Sequence, residues 1–497
     1  MNPPITQLLT AAEGKTLEFK RDLSSPRNIL KSLVAFANSA GGQLLIGITD
    51  GRKVVGVERP LDDEERLCNL IADSISPHLV PNVEIVTHED KSVLVVETFP
   101  SSSRPHYLKN EGHEKGVYVR LGSSNRQASP ELIAELRRST SGVAFDEQPM
   151  PALSINDLDI DAAQRLFGPE HSLTEEALLT LRLLVREQGR LVPTKGAILL
   201  FGKNREQYFP DAWVQCGRFI GTDKARIFDH TEIHSHLPSC VGEIMDFLKK
   251  HAMRAADFSG VQRKDVWSIP LLILREAIVN ALVHADYSHR GAPIRVAFFD
   301  DRIEIENPGI LVPGMTVEAM KRGVSNLRNR VIARVFRELR LIEQWGSGVS
   351  RIFREAQEQG LPEPSIEEIG LHLRFTVYFA HPMSTERAVT GHPKETGDDA
   401  ASGLESESRL ESRLESRLES ALAARVVLLL IEQPAGKAQL AQKLGQKTVS
   451  GTLHRQIKSL LEQQFIEMTL PEKPNSRLQQ YRLTPQGQAL VAEMKGN

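Results

Sequence analysis

Apolar positions recur with two different periods along the first 140 residues. In "NILKSLVAFANSA", Ile29, Leu33, Phe36 and Ala37 fall at helical spacing. "GGQLLIGITDG" is an apolar run closed by glycines, which suits a buried strand with a turn at each end. "KSVLVVETF" and "GVYVRLGSS" add two more strands. The alternation predicts an α/β domain over residues 1–140.

A second block spans residues 150–385. "LTEEALLTLRLLVREQG" predicts an amphipathic helix stopped by Gly189, while "GAILLFG" and "WVQCGRFIG" read as strands. "DFLKKHAMR" and "SIPLLILREAIVNALVHADYS" read as helices, and "IRVAFFDDRIEIENPG" as a hairpin turning near Asp300 and Asp301. Residues 386–404 are polar and aperiodic, a linker. The tetrapeptide repeat "SRLESRLESRLES" lies within residues 405–425. Residues 426–497 predict three helices, then two strands joined by a polar tip. The expected class is a multidomain chain of α/β and α+β parts.

Composition narrows the partners. The chain has 497 residues, 40% hydrophobic and 25% charged, with a formal net charge of -3, so any nucleic-acid surface must be local. Cys68, Cys216 and Cys240 are scattered with no CxxC, which excludes zinc-ligand spacing and a disulfide framework and favours a reducing compartment. "MNPPITQLLTAAEGK" lacks a signal-peptide pattern and no run of 18 apolar residues occurs. A cytoplasmic protein with no membrane partner is expected.

The first candidate site lies in "EGKTLEFKRDL". Leu17 and Phe19 face one way on a strand, so Glu18 and Lys20 face the other. Asp50 ends the glycine-bounded strand, where α/β sheets place functional groups. Glu13, Glu18 and Asp50 could together hold Mg²⁺ or Mn²⁺, with Lys20 stabilising a phosphate. The same pattern suits a solvated strand face with Asp50 in a turn. The run from "EGKTLEFKRDL" through "FANSAGGQLLIGITDG" to "YVRLGSSNRQAS" closely resembles the Schlafen AlbA-like domain family. In the nucleolytic members of that family, a Glu-x4-Glu pair and a later Asp cleave RNA, and Glu13, Glu18 and Asp50 match them. Bacterial relatives are described as DNA-binding. The resemblance therefore implies nucleic-acid contact, with Lys20, Arg21, Arg120 and Arg126 as phosphate contacts.

The second site is a helix. Glu276, Asn280 and His284 recur every four residues near one face of "LREAIVNALVHADYS", opposite Leu274, Ile278 and Leu282. Such a polar stripe is costly to bury without partners, which a nucleotide and its metal would supply; a half-exposed helix would equally carry it. No P-loop occurs. With "IEIENPG" (Asn307, Gly309) and "EQWGSGVSR" (Gly346, Gly348), the order resembles the GHKL ATP-binding fold. That resemblance implies Mg²⁺ on Asn280, adenine near Asn307 and Gly309, phosphates flanked by Gly346 and Gly348, and Glu276 orienting water. The usual adenine-turn Asp is Asn307 here. The whole block also resembles the corresponding segment of bacterial RecG-like proteins and transcriptional regulators, yet no helicase motif is present.

In the third block, Leu440, Leu444, Val449, Leu453, Ile457 and Leu460 form a core stripe. Lys447, His454, Arg455 and Lys458 occupy the polar faces, which fits a winged helix-turn-helix with "PEKPNSR" as its wing, serving DNA or a protein partner. In the repeat, Leu410, Leu414, Leu418 and Leu422 recur every four residues, which predicts a parallel right-handed bundle of three or more chains through residues 405–425, with a homotetramer as the leading expectation; the alternative is a charged disordered linker. The leading expectation is an ATP-binding regulator contacting DNA or structured RNA. The alternatives are a metal-dependent endoribonuclease gated by ATP and an assembly protein with a degenerate nucleotide pocket.

Overall fold

The computed structural model describes residues 5–252, 254–257, 264–342, 348–380, 418, 421–432, 434–443, 451–469 and 479–495. The chain divides into two compact units, residues 1–388 and 389–497.

The first unit opens on a four-stranded sheet. Strand β1 (Leu17–Lys20) lies parallel to β2 (Gly42–Ile46), with α1 (Pro26–Asn38) between them in sequence. Two antiparallel strands, β3 (Asn82–His88) and β4 (Lys91–Thr98), complete the order β1–β2–β4–β3. Both faces are covered. Leu44, Ile46, Leu94 and Val96 pack with Ile29, Leu33 and Phe36 of α1. Leu17, Phe19, Leu45, Val93 and Val95 pack beneath the short helix Ile5–Thr10. A sheet covered on both sides offers no solvated face. The alternation in "TLEFK" therefore does not sort into core and water: Leu17, Glu18 and Phe19 are all buried. A hairpin of β5 (Tyr118–Leu121) and β6 (Ser124–Gln127) follows, then α2 (Pro130–Ser141). Ser129 caps α2 by accepting from the Leu132 amide.

A mixed six-stranded sheet forms the rest of this unit. Its strands are β7 (Val214–Phe219), β8 (Ile227–Ile233), β9 (Ile294–Phe298), β10 (Arg302–Pro308), β11 (Ser365–Ile369) and β12 (His372–Tyr378). They lie in the order β8–β7–β9–β10–β12–β11, and only β7 and β9 are parallel. The expected hairpin is β9–β10, with Phe298 opposite Ile303. Helices α3 (Leu237–His251), α4 (Leu271–His284), α5 (Arg330–Glu338) and α6 (Gly348–Glu358) share its large core, and α4 touches both α3 and α6.

Two expectations fail here. "GAILLFG" is helical, Lys195–Phe201, capped by Thr194 accepting from the Ala197 amide at 3.1 Å. Gly196 to Phe201 are all buried, so the run carries no period to distinguish helix from strand. The helix expected up to Gly189 stops at Thr180; Leu184–Glu187 then pairs with Arg190–Pro193 across Gly189, whose φ of 77° a side chain would resist.

The second unit contains α7 (Ala421–Glu432), α8 (Lys437–Lys443), α9 (Gly451–Glu462), the antiparallel pair β13 (Ile466–Met468) and β14 (Tyr481–Leu483), and α10 (Pro485–Lys495). Val426, Leu440, Leu453, Ile457, Leu460 and Tyr481 form its core, and Leu418 and Leu422 pack onto it. The linker, the earlier part of the repeat, Lys447 and the "PEKPNSR" tip lie outside the described residues. No described helix is long and apolar enough to cross a membrane.

Candidate functional site

A cavity of about 1230 Å³, counted out to its open mouth, lies against α4. Glu276, Asn280 and His284 line it from α4, Asn307 from the end of β10, and Gly348 from the start of α6. Helical spacing brings the first three together, as expected. Leu311, Met315, Met320 and Phe375 supply an apolar wall. Gly346 lies outside the described residues.

Glu276 is buried and doubly engaged. Its Oε2 accepts from Arg351 Nη2 at 2.7 Å, and its Oε1 accepts from Asn280 Nδ2 at 3.3 Å. A Cβ at Gly348 would stand 2.0 Å from Glu276 Oε1, so this approach requires glycine. With Nδ2 of Asn280 turned to Glu276, its Oδ1 is the atom able to meet a hard cation. Asn307 is 4% exposed and donates to the Pro308 carbonyl at 3.1 Å. Burial holds the His284 imidazole down to about 4, with the Arg328 guanidinium adding to the effect.

Gly309 does not line this cavity. Its φ is 100°, and a Cβ there would stand 2.4 Å from Arg328 Nη1. It makes room for a residue the sequence did not reveal. Arg328 donates to Glu135 Oε1 at 2.8 Å, the His284 carbonyl at 2.7 Å and the Ile310 carbonyl at 2.6 Å, tying α2 to the cavity wall. Asp146 was also missed. It is wholly buried and accepts from the Arg330, Val331 and Ile332 amides at 3.0, 2.7 and 2.9 Å, capping α5.

The three carboxylates of the first candidate site do not converge. Among the described residues no group of three or more His, Cys, Asp or Glu side chains converges to hold a metal ion, and Glu13, Glu18 and Asp50 are all described. Glu18 Oε2 accepts from Arg120 Nη1 at 2.7 Å and its Oε1 pairs with Lys20. Glu13 Oε1 accepts from the Phe19 amide at 2.8 Å, and Asp50 is exposed in a turn. Both Glu18 oxygens and Glu13 Oε1 are spent on protein donors, and the three carboxylates do not gather around one cation.

Arg120 is no phosphate contact either. Its side chain is 1% exposed and lies over the Phe36 ring, with bonds to the Gly14 carbonyl at 3.0 Å and Asn125 Oδ1 at 2.9 Å. Arg21 and Arg126 are exposed. His454, Arg455 and Lys458 fall on α9, where Lys458 is exposed and lies 3.7 Å from Glu462.

Comparison with known families separates the two halves of the first unit. Residues 13–129 match the family described as "Schlafen, AlbA_2", and residues 291–379 match "Putative ATP-dependent DNA helicase recG C-terminal". The chain is an AlbA-like, RecG-related protein with an ATPase-like domain. In this AlbA-like protein the RecG-type match begins after α4, so it includes Asn307 and Gly348 but not Glu276 or Asn280. Residues 423–484 match "Filamentation induced by cAMP protein Fic-like, C-terminal domain". Among solved structures, the DIP2311 protein from Corynebacterium diphtheriae is 20% identical, covering 99% of this chain and 97% of its own, at a TM-score of 0.41. The N-terminal domain of a RecG-related protein from Nitrosomonas europaea is 27% identical, covering 26% of this chain and 94% of its own, at a TM-score of 0.21.

Proposed function

We propose that this AlbA-like, RecG-related protein binds ATP with Mg²⁺ in the cavity beside α4 and uses it to govern nucleic-acid binding. The supporting observation is that Glu276 and Asn280 of α4, Asn307 of β10 and Gly348 of α6 line one cavity. In this reading Asn307 meets adenine, Asn280 Oδ1 meets Mg²⁺, and the N-terminal turn of α6, opened by Gly348, receives the phosphates. The engagement of Glu276 by Arg351 and Asn280 favours binding over hydrolysis, because both carboxylate oxygens are already turned to protein donors rather than to a water.

One segment supports the coupling. Leu311, Val312 and Met315 line the cavity, while Ile310 packs with Val117, Val119 and Leu132. The Gly314 amide donates to the Ser39 carbonyl at 2.9 Å, and Ser39 Oγ accepts from the Arg120 amide at 2.9 Å. A ligand that shifts this wall presses directly on the AlbA-like domain.

Calorimetry of ATP binding to the full chain, and duplex binding with and without ATP, test the reading. Wild-type affinity for ATP in Asn280→Ala would refute the site; identical nucleic-acid affinity in both conditions would refute the coupling. A DNA-contacting role for α9 and assembly through residues 405–425 belong to the same proposal. Light scattering on a deletion of residues 405–417, which spares the packed Leu418 and Leu422, tests assembly. An unchanged mass would refute it.

A further inference from the structure

A second cleft lies behind the nucleotide cavity, between α2 and the ATPase-like region. Arg104, Arg138 and Arg330 line it, together with Glu135, Asp286 and Arg328. A third, shallower cleft adjoins it and is lined by Arg330, Arg334 and Arg337. Arg330 belongs to both, so the two form one groove. Arg330, Arg334 and Arg337 are spaced i, i+4, i+7 on α5 and share one face of that helix.

The charge in this groove is not balanced locally. The carboxylates within it are already committed: Glu135 to Arg328, and Asp286 to the Ser288 amide and hydroxyl at 3.0 and 2.6 Å. Glu147 lies 3.5 Å from Arg330. Among the described residues, Arg104, Arg138, Arg334 and Arg337 make no ion pair. Arg104 donates to Ser139 Oγ at 3.2 Å, Arg334 to the Thr180 carbonyl at 3.0 Å, and Arg138 lies over the Phe145 ring at 5.2 Å. Four guanidinium groups that line one groove without an ion pair among the described residues are poised for anions. Seven residues of helix from Arg330 to Arg337 span about 10 Å, three times the roughly 3.4 Å rise per charge along one strand of a duplex. A small anion would fill one cleft; a phosphodiester backbone fills the run.

We propose that the groove lined by Arg104, Arg138, Arg330, Arg334 and Arg337 binds the phosphodiester backbone of nucleic acid. The inference rests on the nucleic-acid-binding reading above and moves the contact from the sheet of the AlbA-like domain to its junction with the ATPase-like region. Ser325, Asn326 and Leu327 line both the nucleotide cavity and the shallower cleft, so one short segment is a wall of each. Backbone contacts of this kind set affinity and carry no sequence information.

The test is fluorescence anisotropy of the full-length protein with a labelled 30-base-pair duplex, as DNA and as RNA, over a KCl series. Arg138→Gln/Arg334→Gln/Arg337→Gln should bind at least tenfold more weakly at 50 mM KCl. Its slope of log affinity against log salt should shrink by about 2–3 units, near one per lost phosphate contact. Arg226→Gln, exposed elsewhere on the same unit, is the charge control and should bind as wild type. Melting temperature and ATP affinity of the triple variant should stay at wild-type values. Wild-type affinity and slope in the triple variant would overturn the groove and leave the proposed function standing. No nucleic-acid binding by the wild type would overturn both. Displacement of the duplex by tripolyphosphate at equal phosphate concentration would mark a small-anion site and overturn the inference.

Discussion

Replacing Glu18 by alanine should destabilise the AlbA-like domain rather than disarm it. The Glu18 carboxylate is 8% exposed and its partner Arg120 is 1% exposed, so neither charge is hydrated. Removing Glu18 leaves the guanidinium its neutral acceptors, the Gly14 carbonyl and Asn125 Oδ1, but no carboxylate in direct contact, only the field of the more distant Glu13. Breaking a buried pair from one side costs about 3–5 kcal/mol. Lys20, 27% exposed, adds under about 1 kcal/mol. At roughly 2–4 °C per kcal/mol, the thermal midpoint should fall by about 6–20 °C. Circular dichroism melts of the full chain would measure it. Glu18→Leu/Arg120→Met removes both charges and restores apolar contact beside Phe36, so it should recover most of the loss. A Glu18→Ala midpoint within 1 °C of wild type, or a double variant worse than the single, would refute the reasoning. It follows that any activity lost in Glu18→Ala would not mark Glu18 as catalytic.

Three further outcomes are expected. Gly348→Ala should drive the Glu276 carboxylate off Arg351 and weaken ATP binding at least tenfold by calorimetry; unchanged affinity would displace the phosphates from α6. Native His284 stays neutral down to about 4, whereas in the unfolded chain it takes a proton near 6.5, so its contribution is complete above about 6.5 and falls away towards 4. The difference is about 3 kcal/mol, and melts of His284→Asn across this range should show a flatter pH dependence than wild type. Asp146→Ala should cost about 3 kcal/mol in chemical denaturation, because three amides of α5, two of them buried, lose their acceptor; Asp146→Asn should cost less.

The cavity was legible in sequence because its residues obey local rules. Glu276, Asn280 and His284 repeat every four positions, and Asn307 and Gly348 sit at element ends. Arg328, Arg351 and Asp146 were missed because the groups that define their roles, Glu135, Glu276 and the α5 amides, lie 75 to 193 positions away, beyond any period. On β1 the period was right and the inference from it was not. Glu18 does face away from Leu17 and Phe19, but that side is covered by α1 and holds Arg120, so a charged residue there marks a buried pair.

Glu135 and Asp146 precede the ATPase-like region in sequence but serve it in space, one as the carboxylate of Arg328 and the other as the cap of α5. The seam between the two domains therefore does not coincide with any linker. A chimera joined at residue 150 would bring a foreign segment to both positions, orphaning a buried guanidinium and three helix amides at once. A crossover just before Ser129 would keep α2 and its cap with their clients; it would cut through the apolar patch of Val117, Val119, Leu132 and Ile133, which tolerates substitution of shape for shape, and would require Lys15 and Ser39 to be kept for their partners Glu368 and Gly314. The unit of inheritance, for a breeder of such chimeras, is the ATPase-like region plus the helix in front of it.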